Sequence, residues 1–139
     1  MVKHEIIERK LWQIGKSMSK VEQYKILSYD DFINHSVARD VVEYNIFIMI
    51  NCMIDTVNYI VADAGLGEVD MPADGFKILK DHGYWTEAEC DVYVKMVAFR
   101  NMISHQYMSI DGKIVYDILQ NRLKDIGSFK QKIMNVTSQ

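Results

Sequence analysis

Proline is nearly absent: Pro72 is the only one in 139 residues, and glycine occurs just seven times. Helix interiors are spared their two strongest breakers, so long helices are allowed almost everywhere. Cysteine is equally scarce. Cys52 and Cys90 form neither a CxxC pair nor a metal-ligand spacing, and both fall in apolar helical patterns, where reduced, buried thiols are expected. Of the four histidines, His4, His35, His82 and His105, no two make an H-x3-H pair and none has a cysteine partner. No zinc site and no cofactor is expected.

Long apolar runs are missing as well. The longest uncharged stretch, Tyr44 to Ile54, has 11 residues, against roughly 20 for a bilayer crossing. Nothing behind Met1-Val2-Lys3-His4-Glu5 resembles the apolar region of a secretory signal. Together these absences point to a cytosolic protein without a membrane partner. No repeat or low-complexity segment is visible, and residues 1–139 are expected to form one domain with a sizeable core.

A surplus of positive charge is also lacking, since the net charge is −3. The balance is uneven along the chain. Residues 1–25 carry six Lys/Arg against three Glu, and residues 93–139 carry seven against three Asp, whereas residues 26–92 hold thirteen acids and three bases. A general nucleic-acid coat protein would be basic overall. Any RNA contact must be local, made by the two basic terminal segments. That these are merely solvated helix faces is equally open.

What is present is helical periodicity. A first helix is expected from Val2 to Tyr24, with Ile6, Ile7, Leu11 and Ile14 as its apolar stripe, followed by Met18 and Val21. Ser28-Tyr29-Asp30-Asp31 is a break rich in N-cap residues, and Phe32 and Ile33 start a short turn. The second helix, Ser36 to Ala64, is the most apolar element and ends at Gly65-Leu66-Gly67. A third runs from Ala73 to Lys80. Thr86 with Glu89 is a capping-box start for a fourth. Ser109 to Gly112 is a further cap region. A fifth helix then runs to Asn135, with Ile114, Ile118, Leu123 and Ile126 toward the core. This pattern predicts an all-α, up-and-down bundle of four to five helices.

The second helix leaves little room for a wet face, so it is expected to be buried on more than one side, most simply by a second copy in a homodimer. Along it Asp40, Tyr44, Phe47, Asn51, Asp55 and Asn58 line up at steps of three and four. Asn51 and Asp55 are unusual guests there. They are either hydrogen-bonded core or interface groups, or they line a functional cleft.

The densest chemistry lies at the end of the fourth helix. Val92, Met96, Phe99 and Ile103 form its apolar stripe, and Arg100 points off it. His105 follows five positions later, roughly 140° away on a continuous helix. The helix is therefore expected to end near Ser104, with a turn that swings His105 and Tyr107 back toward Arg100. Histidine, with an unperturbed pKa of about 6.5, suits proton transfer at neutral pH. Arginine offers a permanently charged fork to phosphate oxygens. Together they suit metal-free cleavage of a phosphodiester, in which the nucleophile loses a proton, the phosphate charge is balanced, and the leaving oxygen gains a proton. One chain supplies one such His and one such Arg; a twofold dimer would supply two of each. Ser104 has no visible relay and is not a nucleophile candidate.

The stretch Arg100-Asn101-Met102-Ile103-Ser104-His105-Gln106-Tyr107 resembles the R-x4-H-x-Y signature of the HepT-type HEPN toxins. The likeness extends over nearly the whole chain, through Arg39 to Ile60, Phe76 to Leu79 and Val115 to Leu119, although Tyr59 stands where many relatives carry histidine. The resemblance implies a HEPN-like homodimer acting as the toxin of a type VII toxin–antitoxin system. It would be a metal-independent endoribonuclease cutting tRNA or mRNA in a composite cleft. Arg100 and His105 would be catalytic and Asn101 supporting. Tyr107 would be the residue on which a cognate minimal nucleotidyltransferase antitoxin places AMP. Alternatives stay beside each role. Arg100 could pair with helix-end carbonyls, His105 could be a loop histidine, Asn101 could cap the turn, and Tyr107 could pack on the fifth helix. The alternative for the whole chain is a noncatalytic HEPN-like module that binds a nucleotide or a partner.

Overall fold

The computed structural model describes residues 4–105 and 110–137, with the side chains of His4 and His105 outside that description. Helix α1 (His4–Glu22) forms because Ile7, Leu11, Ile14 and Val21 recur on one face, and all four are buried. The periodicity predicts that this helix reaches Tyr24, but a 3₁₀ turn, Gln23–Ile26, takes over first. The physical reason lies in the carbonyls beyond Glu22. Gln120 Nε2 donates to the Lys25 carbonyl at 2.8 Å, and the Tyr116 hydroxyl donates to that of Leu27 at 2.8 Å. Distant side chains thus satisfy groups that another α-helical turn would have used.

The expected break is a short helix, α2 (Tyr29–Ile33), capped by Ser28, whose hydroxyl accepts from the Asp31 N–H at 3.1 Å. Helix α3 (Ser36–Ala64) has the expected bounds. It opens on His35, whose Nδ1 accepts from the Ala38 N–H at 3.0 Å. It closes on Gly65 at φ 63°, with Leu66 N–H donating to Val61 O and Gly65 N–H to Ala62 O. That paired closure needs the left-handed conformation glycine adopts without strain. Helix α4 (Asp74–Asp81) follows, then α5 (Glu87–His105). The capping box is reciprocal: Glu89 N–H donates to Thr86 Oγ1 at 3.1 Å, and Thr86 N–H to Glu89 Oε1 at 2.9 Å.

The fifth expected helix is continuous but irregular, built from α6 (Gly112–Asp117), a π-helical stretch Ile118–Arg122, and α7 (Leu123–Thr137). The π stretch shifts the phase of the apolar face. Val115, Ile118, Leu119, Leu123 and Ile126 are buried, but Ile114, expected inward, is 36% exposed.

Helix α1 lies along α3, α3 packs on α4 and α5, and α1 also meets α7. The molecule is an all-α up-and-down bundle with no strand among the described residues. Its densest core is aromatic: Trp85, Tyr93 and Phe129 surround Phe76 with ring centroids 5.7–6.1 Å from it. Trp85 Nε1 donates to the Phe76 carbonyl at 3.0 Å, which satisfies the indole inside the core. Cys52 and Cys90 are free and buried, as expected, and burial pushes both thiols up. By length and composition α3 could cross a membrane, but 61% of its most apolar window is buried within the bundle.

Candidate active site

The bundle places the middle of α3 beside the last turns of α5, and Arg100 is where they meet. Asn51 lies half-buried on the outer stripe of α3, and Arg100 and Asn101 are half-buried on α5. Arg100 Nε donates to Asn51 Oδ1 at 2.6 Å, and its Nη1 donates to Asn101 Oδ1 at 2.9 Å. Arginine has donors only, so both amides must present oxygen to it and turn their NH2 groups away. The guanidinium plane is thus held from two sides. Helix-end carbonyls, the alternative reading for Arg100, are not its described acceptors.

Those acceptors decide the electrostatics. An amide oxygen aligns the guanidinium without cancelling its charge, whereas a carboxylate would do both. Among the described residues no Asp or Glu pairs with Arg100, and none accepts from its Nη2. The cation is thus oriented but, among the described residues, not compensated. Its free edge suits two oxygens of a phosphodiester.

Asn101 was open between orienting a neighbour and capping a turn, and it accepts from Arg100. Ser104 donates to the Arg100 carbonyl at 3.2 Å and so braces the last turn. The helix itself runs one residue past Ser104, with His105 in its backbone. The side chain of His105, and all of Gln106 and Tyr107, lie outside the described residues. The polar stripe of α3 splits in two. Asn51 reaches Arg100, while Asp55 pairs with Lys10 of α1 at 2.9 Å. In the sequence Asn51 and Asp55 look alike, each either a core or interface group or a cleft residue. Asn51 stands out as an amide on an apolar helix, but nothing there names Arg100 as its partner. Among the described residues no group of three His, Cys, Asp or Glu could hold a metal ion.

Beside Asn51 the outer face of α3 stays apolar. Val37, Val41, Tyr44 and Ile48 continue its heptad spacing, and Val37 and Tyr44 are 60% and 63% exposed. Among the described residues, an apolar stripe exposed at Val37 and Tyr44 therefore leads directly to the Arg100 clamp.

Comparison with known proteins bears on this geometry. A family model described as ribonuclease HepT-like matches residues 14–133. The chain is 27% identical over 129 residues to a Shewanella oneidensis protein named mRNA nuclease HepT, with 91% of this chain and 94% of that protein covered. It superposes with a TM-score of 0.85 on a tri-AMPylated Shewanella oneidensis HEPN toxin solved in complex with an MNT antitoxin. The two are 26% identical, and 94% of this chain and 97% of that one are covered. The fold alone is shared with the Bacillus subtilis protein YutE, at a TM-score of 0.85 and 19% identity, over 97% of this chain and 90% of that one.

Proposed function

The chain belongs to the HepT-like ribonuclease family, and from that premise we propose that it is a metal-independent endoribonuclease and the toxin of a toxin–antitoxin pair. Cleavage takes place in a cleft shared by two copies of the chain. The observation that carries this reading is the Arg100 clamp, a guanidinium fixed by the neutral oxygens of Asn51 and Asn101 and left charged for phosphate.

In this mechanism Arg100 binds the non-bridging oxygens and stabilises the charge that builds on them as the 2′-oxygen attacks phosphorus. A His105 imidazole removes the 2′-OH proton. The bond from phosphorus to the 5′-oxygen breaks, and the His105 of the second copy protonates that oxygen. The products are a 2′,3′-cyclic phosphate and a 5′-hydroxyl, so protons and electrons balance without a metal. The twofold axis runs past the Val37, Val41, Tyr44 and Ile48 stripe, which buries that stripe and brings the two clamps together. Support for an antitoxin partner comes from the similar toxin solved with an MNT antitoxin and carrying AMP groups. On this chain the acceptor is the Tyr107 hydroxyl, and the partner is a minimal nucleotidyltransferase.

Purified protein incubated with total cellular RNA in excess EDTA tests the reading. Cleavage should persist under chelation and should be lost in Arg100→Ala and His105→Ala, with both variants keeping their helical circular dichroism. Cleavage that stops with EDTA and returns with Mg²⁺ would rule out the His105 proton-transfer mechanism. Wild-type protein that cuts no RNA would move the chain to a noncatalytic binding role.

A further inference from the structure

The sequence divides its positive charge between the two ends of the chain, and the fold brings those ends side by side. Helix α1 meets α7, and a groove of about 470 Å³ runs between them. Ile14, Met18 and Leu123 line its apolar part, while Lys25, Lys124 and Lys130 supply charge, with Glu22 the one acid among the lining residues. Lys10, Lys80 and Lys132 each pair with a carboxylate, while others outside the groove, such as Lys77 and Lys95, stand unpaired singly among the described residues. Among the described residues Lys25, Lys124 and Lys130 have no such partner.

Two glycines shape the groove, Gly127 by leaving open space and Gly15 by leaving room for Lys130. A Cβ at Gly127 would meet nothing within 4 Å, and one at Gly15 would meet only the Lys130 side chain, with Nζ at 2.7 Å. Neither glycine is there for close helix packing, since no backbone of the facing helix comes near. Each is a poor helix former set in a helix interior. The groove is therefore open over α7 at Gly127, with the Lys130 ammonium lying over Gly15 of α1.

We propose that the α1–α7 groove is a second RNA contact, holding the phosphodiester backbone of the substrate outside the cleavage cleft. The inference rests on the ribonuclease reading. Lysine ammoniums are point charges that hold phosphate without reading bases. Position supports a contact dependent on RNA length. Helix α1 packs on α3 and α7, and α3 packs on α5. The groove therefore lies across the bundle from Arg100. An oligonucleotide just long enough to fill the cleft stops short of the groove, and a tRNA-sized molecule reaches it.

The test uses the full chain with Lys25, Lys124 and Lys130 all changed to Gln, and separately Gly127→Leu, which fills the channel without altering charge. Binding of a labelled tRNA-sized RNA and of a short oligonucleotide is followed by anisotropy against salt, and cleavage of both is measured. The triple variant should bind the long RNA at least tenfold more weakly, with a log–log salt slope smaller by about two to three. Its long-to-short ratio of kcat/KM should fall by a similar factor, mainly through KM. Gly127→Leu should weaken the long RNA without changing the slope as much. Wild-type affinity and slope in the triple variant would overturn the proposal. So would intact RNA binding with loss of the antitoxin complex, which would assign the groove to a protein partner. If wild-type protein cuts neither RNA but binds the long one through these lysines, the nuclease reading falls and the groove stands.

Discussion

Arg100 is held by two oxygens that carry no charge, and the choice of asparagine over aspartate is the most consequential one at the site. Asn51→Leu keeps volume but removes the acceptor on α3, freeing the guanidinium to rotate. RNA cleavage should fall about ten- to hundredfold, in kcat more than in KM, the size expected when a reacting group is displaced by about 1 Å. Asn51→Asp is the sharper experiment. It makes a stronger hydrogen bond to Arg100 yet cancels the charge proposed to hold phosphate, so it should be at least as impaired as Asn51→Leu at neutral pH. An Asp variant with wild-type rates would show that alignment alone matters. Arg100→Lys should also be strongly impaired, because an ammonium cannot form the planar fork. At Tyr107 the expectation is regulatory. Tyr107→Phe should cleave RNA normally, yet stay toxic when the antitoxin is co-expressed. In wild type the peptide holding Tyr107 should gain mass in units of AMP, each adding about one negative charge. Silencing of the Phe variant as complete as that of wild type would mean that inhibition is by binding.

At the scale of elements, helix ends were readable where a residue within three or four positions makes the cap. The Thr86–Glu89 box and the Gly65 stop are of that kind. The box is also a testable source of stability for α5, the helix that carries the site. The Thr86 N–H first, and then Lys132, hold the Glu89 carboxyl below the usual carboxylate range. A carboxyl lowered in the folded state contributes stability that is present above its unfolded pKa and is lost as pH falls through the folded one. Glu89→Gln should therefore be less stable than wild type at pH 7, with the gap closing below about pH 4.3. Urea unfolding at pH 7 and pH 3 checks this, and an equal gap at both would refute it. Thr86→Ala should cost about 1 kcal/mol. Elements shaped by remote partners were not readable. The early stop of α1 depends on Gln120 and Tyr116, about ninety residues away. Ile114 lies in α6 just ahead of a π stretch and is 36% exposed, and no local residue type announces that stretch.

At the scale of the whole molecule, part of the outer apolar stripe of α3 is left uncovered, among the described residues, by the chain's own helices. Val37 and Tyr44, on the stripe that ends at Asn51, are 60% and 63% exposed. A homodimer across that stripe is the expected state, and sedimentation at micromolar concentration should show it. Tyr44→Glu sets two carboxylates close to the twofold axis, so it should yield a folded monomer without RNase activity. A fully active monomer would remove the shared cleft. Local pattern by itself determined the class of fold, the bounds of α3, the start of α5 and the R-x4-H-x-Y stretch, because periodicity, caps and motif spacing are all encoded within a few turns of chain. Only the tertiary structure decided that Asn51 meets Arg100, that Asp55 goes instead to Lys10, and that the two basic ends of the chain share one groove. Each of those pairings joins helices far apart in sequence. Which of several polar residues on a helix face finds a given partner depends on how the helices are rotated against one another. Many distant core side chains set that rotation together, and no single segment carries it.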